Sequence, residues 1–335
     1  MPTRRRCAWV FTLLVLLAGA SLCAALMVGS MRIGVAQVLD ALGGTRGTEQ
    51  DIVRLLRLPR ALAAFATGGL LALAGALMQV LLRNPLADPY VLGVSGGAAV
   101  GALGAMMAGL GSLAVDFGAA GGALAAIVLV FAVAQREFAR AHLFGALDAS
   151  PRLLLTGVIL AAGWGAIITL MLTLAPEGRL RGMLFWLMGD LNGAQSWTPA
   201  LLVLAAALAI TYPVARDLNV LLRGETIAQA LGVHVVSLRR TAYLAASAAT
   251  ALAVTTAGAI AFVGLVVPHA LRLALGNDQR VLLPASAITG GTLLVLADTA
   301  ARTLFAPQEL PVGVITALLG VPVFIWLLSR NPARK

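Results

Sequence analysis

The sequence predicts an all-α, polytopic membrane protein of about ten transmembrane helices. Three observations carry that expectation. Of 335 residues, 60% are hydrophobic and 11% charged, with a mean hydropathy of +0.94, against roughly 25% charged in a soluble domain. The apolar residues fall into runs close to the ~20 helical residues that cross a hydrocarbon core. The breaks between runs hold arginine, proline and glycine, and the 36 glycines suit helices packed at close range.

The elements follow in order. Met1–Arg6 is a basic start, and Cys7–Val28 is the first run. It is long for a signal-peptide core and has no A-x-A site, so it reads as a membrane helix with its N-terminus inside. Cys7 and Cys23, both in this run, read as packing or lipid-facing residues, with no paired-cysteine or Cys/His metal spacing. Ser30–Leu56 reads as an outer loop. From Arg57 to Val100 two runs stand back to back, Ala61–Leu82 and Tyr90–Met107. Between them, Arg83-Asn84-Pro85-Leu86-Ala87-Asp88-Pro89 breaks the helix, because proline lacks the backbone donor and bars helical geometry before it.

Gly109–Asp116 is a turn, Phe117–Ala134 the fourth run, Gln135–Arg152 a basic connector and Leu153–Leu174 the fifth run. Ala175–Pro199 is a longer interruption, with Trp186 and Trp197 suited to an interface and a short apolar piece, Met183–Leu191, that reads as a small surface helix. Ala200–Val214 is the sixth run. Ala215–Arg240 is the least hydrophobic internal stretch and predicts an amphipathic helix outside the membrane, stopped at Gly232. Thr241–Leu275 is too long for one span and holds Gly258, Gly264 and Pro268, any of which can break it. Val281–Leu296 is another run, Asp298–Glu309 an outer loop, Leu310–Leu328 the last span and Ser329–Lys335 a basic tail.

Nine runs are evident. Basic ends place both termini in the cytoplasm, which requires an even number, and splitting Thr241–Leu275 near Thr255–Gly258 makes ten. In that topology sixteen of the 24 basic residues lie inside and eight outside. The net charge of +10 comes from arginines placed singly or in pairs at the ends of runs. That pattern suits a bilayer surface and not a nucleic-acid partner.

Several blocks resemble the bacterial ABC importer permeases for iron-siderophores, haem and cobalamin, the FecCD or vitamin B12 permease type. They are Arg57-Leu58-Pro59-Arg60; Gly75-Ala76-Leu77-Met78-Gln79; Asn84-Pro85-Leu86-Ala87-Asp88-Pro89; Gly93-Val94-Ser95-Gly96-Gly97-Ala98; Arg223 to Val233; Gly264 to Arg272; and Glu309-Leu310-Pro311-Val312-Gly313-Val314. The likeness runs from Arg57 to Leu328. It also implies ten helices, one permease domain over residues 1–335, and a coupling segment at about 215–240.

The resemblance implies roles for named residues. Arg57, Arg60 and Arg302, at the outer ends of the second and ninth helices, would pair with carboxylates of a soluble binding protein, the bidentate chemistry that arginine suits. Without the resemblance they read as snorkelling helix-end charges. Gly224, Glu225, Ala228, Leu231 and Gly232 match the family's coupling segment, which sits in a cleft of the ATPase; by pattern alone this is an interfacial amphipathic helix. The fifth and tenth helices would line the passage, with Thr156 and Gly157 near the inner gate. Gln79, Asn84, Pro85, Asp88, Pro89, Gly93, Pro268, His269, Arg272 and Pro311 belong to the structural motif. Gln79, Asn84, Asp88, Thr156, Thr169, Thr173, Thr255 and Thr256 are polar groups in or beside spans, and threonine there readily bonds its own helix. His269, lacking a partner histidine one turn away, reads as structural or ATPase-facing and not as a metal or haem ligand.

No Walker A sequence occurs, and the only lysine is Lys335, so this chain holds no ATP by a P-loop. The expected assembly is a permease homodimer, two ABC ATPase subunits that use the ATP, and an extracytoplasmic binding protein. It would move a ferric siderophore, haem or cobalamin across the inner membrane by alternating access. No cofactor or metal is expected on this chain. The alternative is an ion- or proton-coupled secondary transporter working alone, but such proteins usually carry ionisable groups at the midplane. Here the 14 acids sit mostly at helix ends and loops. Three scattered histidines give no acid–base pair for an enzyme.

Overall fold

The computed structural model describes residues 4–29, 31–44, 47–144, 150–194 and 197–329. Met1–Thr3 and the basic tail from Arg330, used above to place the termini, lie outside them. Among the described residues every regular element is helical. Ten helices match the ten runs: α1 (Arg4–Met27), α2 (Leu58–Leu81), α3 (Val94–Met107), α4 (Ser112–Phe144), α5 (Ser150–Leu174), α6 (Trp197–Thr211), α7 (Val235–Ala257), α8 (Val263–Leu275), α9 (Gln279–Thr303) and α10 (Val312–Ser329). Five stretches are long and apolar enough to span a membrane alone: Cys7–Met27, Thr48–Leu81, Ser112–Val130, Leu155–Leu174 and Gln279–Thr303. A sixth arises if α6 and Ala215–Leu221, bent by 64°, count as one span. Within α3, α8 and α10 are shorter apolar stretches.

α2 is the axis of the molecule. Every residue from Ala66 to Leu81 is buried, as expected for a helix that is apolar all round. α6, α7, α8 and α9 pack around it. Glycine permits close approaches here: a Cβ on Gly68 would lie 2.2 Å from the carbonyl oxygen of Gly290 on α9. By contrast, the membrane-length part of α5 has almost no buried residue, and α10 exposes Leu318, Leu319, Ile325 and Trp326.

The structure corrects several boundaries. The loop Ser30–Leu56 holds a helix at Val35–Leu42, a turn of helix at Thr48–Asp51 and a π-helical segment, Ile52–Arg57, that runs into α2. Val38 and Ala41 pack there with Leu26, Ile33 and Val53 as a small separate core. The signal was legible as apolar residues at 35, 38, 39 and 42, the helical spacing. The connector after the fourth run is helical to Phe144, because its Ala, Arg, Gln and Glu residues are good helix formers and no glycine or proline intervenes. The Thr241–Leu275 run breaks where expected: α7 ends at Ala257 and Gly258 takes φ +68°, open to glycine at no steric cost. Gly264 and Pro268, also expected as breakers, both lie inside α8. Ala215–Arg240 is not one amphipathic helix. Ala215–Leu221 and Glu225–Ala230 are separated at Gly224 (φ +121°), and Gly232 (φ +81°) ends the second, as expected.

Candidate functional site

Three polar constellations stand out, one at each end of α2 and one beside it. At the Arg60 end, Arg60, Arg302 and Asp298 form one cluster. Asp298 is only 2% exposed. Arg60 donates from Nε and Nη2 to its carboxylate at 3.0–3.2 Å, and from Nη1 to Glu309 and to Asn192, each at 3.0 Å. Arg302 reaches Asp298 from one turn away at 3.1 Å and the Ala25 carbonyl at 3.4 Å. Arg57 differs from its expected place as a surface cation. It is 5% exposed, and its guanidinium donates to the carbonyls of Leu26 (2.7 Å) and Met31 (2.6 Å). The reason is that a guanidinium leaves water only against fixed acceptors, which the chain leaving α1 supplies. Just before it, Arg54 is exposed.

At the Arg83 end lies the segment Gly224–Gly232. Glu225 opens its helix and binds Arg239 of α7; the same oxygen lies 3.8 Å from Arg83, just past the end of α2. Ala228 is fully buried, so it faces this chain, whereas Ile227 (48%) and Leu231 (67%) are exposed. Ala228 and Leu231, both matched to the coupling segment, therefore point to opposite sides. Ile227 and Leu231 form the outward apolar pair, and Ala228 is small because it packs inward. Nearby, Asp278 caps α9 and accepts from Asn219 (2.9 Å), from the Arg280 amide (3.1 Å) and from its guanidinium (2.6 Å). These bonds, the Arg280 side chain first, hold its carboxyl down at about 2.

The break between α2 and α3 was expected to hand over directly to a helix near Tyr90. Instead it folds back along α2. Asn84 Oδ1 accepts from the Leu86 amide at 2.9 Å and Asp88 Oδ1 from the Tyr90 amide at 2.7 Å. Pro89–Leu92 is a 3-10 turn, and Gly93 (φ +70°) starts α3. The Tyr90 hydroxyl donates to the Ile260 carbonyl (3.0 Å) and accepts from the Ile260 amide (2.9 Å), so the α2–α3 break and the α7–α8 break are tied together. Gln79 donates to the Leu265 carbonyl at 3.2 Å, and a Cβ on Gly264 would meet the Pro89 ring at 2.6 Å.

Of the remaining motif residues, His269 is buried in α8, edge-on to Phe324 at 6.1 Å; its ring nitrogens and Arg272 Nε and Nη2 have no hydrogen-bond partner. Pro311 leads into α10, and Pro85 lies in the exposed turn of the break. On α5, Thr156 is half-buried and Gly157 buried, while Leu155, Val158 and Ile159 are exposed. Thr169, Thr173, Thr255 and Thr256 each bond a carbonyl of their own helix, as the bland reading of in-span threonines has it. A cavity of about 120 Å³ lies between α8, α9 and α10, lined by Phe262, Val266, Leu293, Thr316, Gly320 and Val323 among others.

The sequence matches the FecCD transport family over residues 14–330. It is 44% identical to the cobalamin import system permease protein BtuC of Halobacterium salinarum over 295 residues, 87% of this chain and 77% of that protein. It is 41% identical to the vitamin B12 import system permease protein BtuC of Salmonella newport over 337 residues, 98% of this chain and 97% of that one. Among solved structures, an inward-facing transporter assigned to the metal-chelate type of ABC transporters superposes with a TM-score of 0.81 at 29% identity, covering 96% of this chain and 99% of that one. PsaBC from Streptococcus pneumoniae, solved with a Fab, shares the fold at a TM-score of 0.56 and 17% identity, covering 88% of this chain and 95% of that one. A match of this length to a transport family also sets aside the enzyme and the stand-alone secondary transporter. The chain belongs to the FecCD transport family and is a permease subunit of an importer of the ABC type.

Proposed function

We propose that this permease carries cobalamin or a close analogue across the inner membrane. The observation that carries this reading is the likeness, over most of the chain, to permeases named for cobalamin and vitamin B12 import. A chelated-iron cargo is the second reading, favoured by the metal-chelate transporter that shares the fold at 29% identity.

In this reading two copies of the chain pair, with α5 and α10 lining the passage and Thr156 and Gly157 near its inner gate. The exposed apolar surface of both helices supports that assignment. Two ATPase subunits take the Gly224–Gly232 segments, each meeting Ile227 and Leu231, and ATP is used there. A loaded binding protein docks at the Arg60 end, outside the cell membrane, with both termini on the inner side. Arg60 and Arg302 offer the docking charge. Arg57 joins them only if the segment around Met31 moves, since both its terminal nitrogens are engaged.

The test is cargo uptake into proteoliposomes holding permease and cognate ATPase, with binding protein outside and ATP inside. Cobalamin, haem and ferric siderophores are offered separately. Uptake of cobalamin alone supports the first reading. Uptake of a ferric siderophore or haem without cobalamin replaces it with the second.

A further inference from the structure

The segment Glu225–Ala230 packs on the rest of the chain through buried Ala228, and its ionic contacts run through one carboxylate shared by two cations. Glu225 pairs with Arg239, which is 6% exposed and lies in the second turn of α7. Its contact with Arg83 is looser, at 3.8 Å, and the Arg83 side chain is 31% exposed. Both guanidiniums meet the same Glu225 oxygen, one nitrogen each, so this carboxylate bridges the end of α2 to the start of α7.

Arg83 is unusual in its backbone as well. It has φ +47°, and Phe262 is the only other non-glycine with positive φ among the described residues. Few side chains adopt that conformation without something to hold them there. Arg83 opens the α2–α3 break. Two residues past the break's Asp88 cap, Tyr90 is bonded on both sides to Ile260, and Pro89 packs on Gly264. A displacement of Arg83 is therefore passed along the seven residues to Tyr90, and from there to the α7–α8 break and the first turn of α8. Phe262, at that turn, lies against Gly320 of α10.

We propose that Arg83 is a positioning residue, an ionic latch through which movement of the Glu225–Ala230 helix reaches the folded-back break and, beyond it, α8 and α10. With the latch closed, the break follows the coupling helix. With Glu225 held by Arg239 alone, the helix moves with α7 and the break stays behind. This rests on the proposed role of Gly224–Gly232 as the ATPase contact. The side chains assigned to that contact are Ile227 and Leu231, not Arg83, and the co-purification readout separates the latch from ATPase binding.

The experiment compares wild type, Arg83→Gln and Arg83→Lys in the full complex in proteoliposomes, measuring co-purification with the ATPase, unstimulated ATP hydrolysis and cargo moved per ATP. All three residues face the same positive φ, and none enters the core, so the comparison isolates the charge. Arg83→Gln is expected to assemble and hydrolyse ATP like wild type but to move at least five-fold less cargo per ATP. Arg83→Lys should recover at least half of the loss. Wild-type cargo per ATP in Arg83→Gln, or a Lys variant as impaired as the Gln variant, overturns the latch while leaving the permease reading intact. A wild-type chain that neither binds the ATPase nor moves cargo overturns both.

Discussion

Gly75 on α2 lies against the carbonyl oxygen of Gly264 on α8: a Cβ at residue 75 would sit 1.7 Å from it. Gly264 is four residues before Pro268, whose ring nitrogen has no hydrogen to donate, so that carbonyl lacks its helical partner. The proline thus does not end α8. It frees one carbonyl, and Gly75 lets that carbonyl approach α2, with the adjacent Leu265 carbonyl taken by Gln79. Small residues at such crossings let backbones meet.

Gly75→Ala should therefore be costly. The methyl has no room that a flexible side chain could vacate, and overpacking of this kind costs ~3 kcal/mol or more. Thermal unfolding of the purified permease in detergent should show a large fall in Tm. Gly19→Ala on α1, where nothing lies within 4 Å, should leave Tm unchanged.

Arg57→Ala should destabilise the chain whatever it does to docking. It removes the donor to two carbonyls, at Leu26 and Met31, at about 2–3 kcal/mol. The exposed Arg54→Ala should change stability by less than about 0.5 kcal/mol. A Tm equal to wild type in Arg57→Ala would mean that those contacts do not hold the segment.

Ile227→Ser with Leu231→Ser should separate folding from assembly. Both side chains are exposed, so Tm should hold. Burial of each against a partner contributes ~2 kcal/mol, so ATPase co-purification should weaken by at least about 30-fold. Undiminished co-purification would remove this pair from the interface.

Stability near Asp278 should depend on pH with a defined sign. Its folded carboxyl titrates at about 2, below its unfolded value of about 3.9. The contribution is therefore complete above pH ~4 and is lost as pH falls toward 2. Asp278→Asn should flatten the stability profile across that window and cost about 1 kcal/mol at pH 7, modest because the site is open to water. Denaturation profiles from pH 7 to 2 provide the measurement.

Tyr90→Phe should cost about 2 kcal/mol, since both backbone groups of Ile260 lose their partner. Unfolding of this variant at a wild-type midpoint would argue against the tie between the two breaks.

By itself the sequence determined the ten long helices, their order and the family. Runs of apolar residues must become helices in a bilayer, where each backbone group needs an internal partner, and glycine at Gly258 and Gly232 marked true stops. The blocks around Arg57, Asn84 and Gly224 were legible because they are local in sequence. Tertiary structure alone decided which charges are free. Arg57 was read as an outward cation, yet it is enclosed by carbonyls 26 and 31 residues away. Pro268 was read as a breaker, yet it lies inside a helix whose freed carbonyl meets a glycine on another. Ala228 was read as facing a partner, yet it packs inward. In each case the deciding atom belongs to a distant part of the chain, and the energy of a buried polar group or a close backbone crossing depends on that partner's position, which local pattern does not carry.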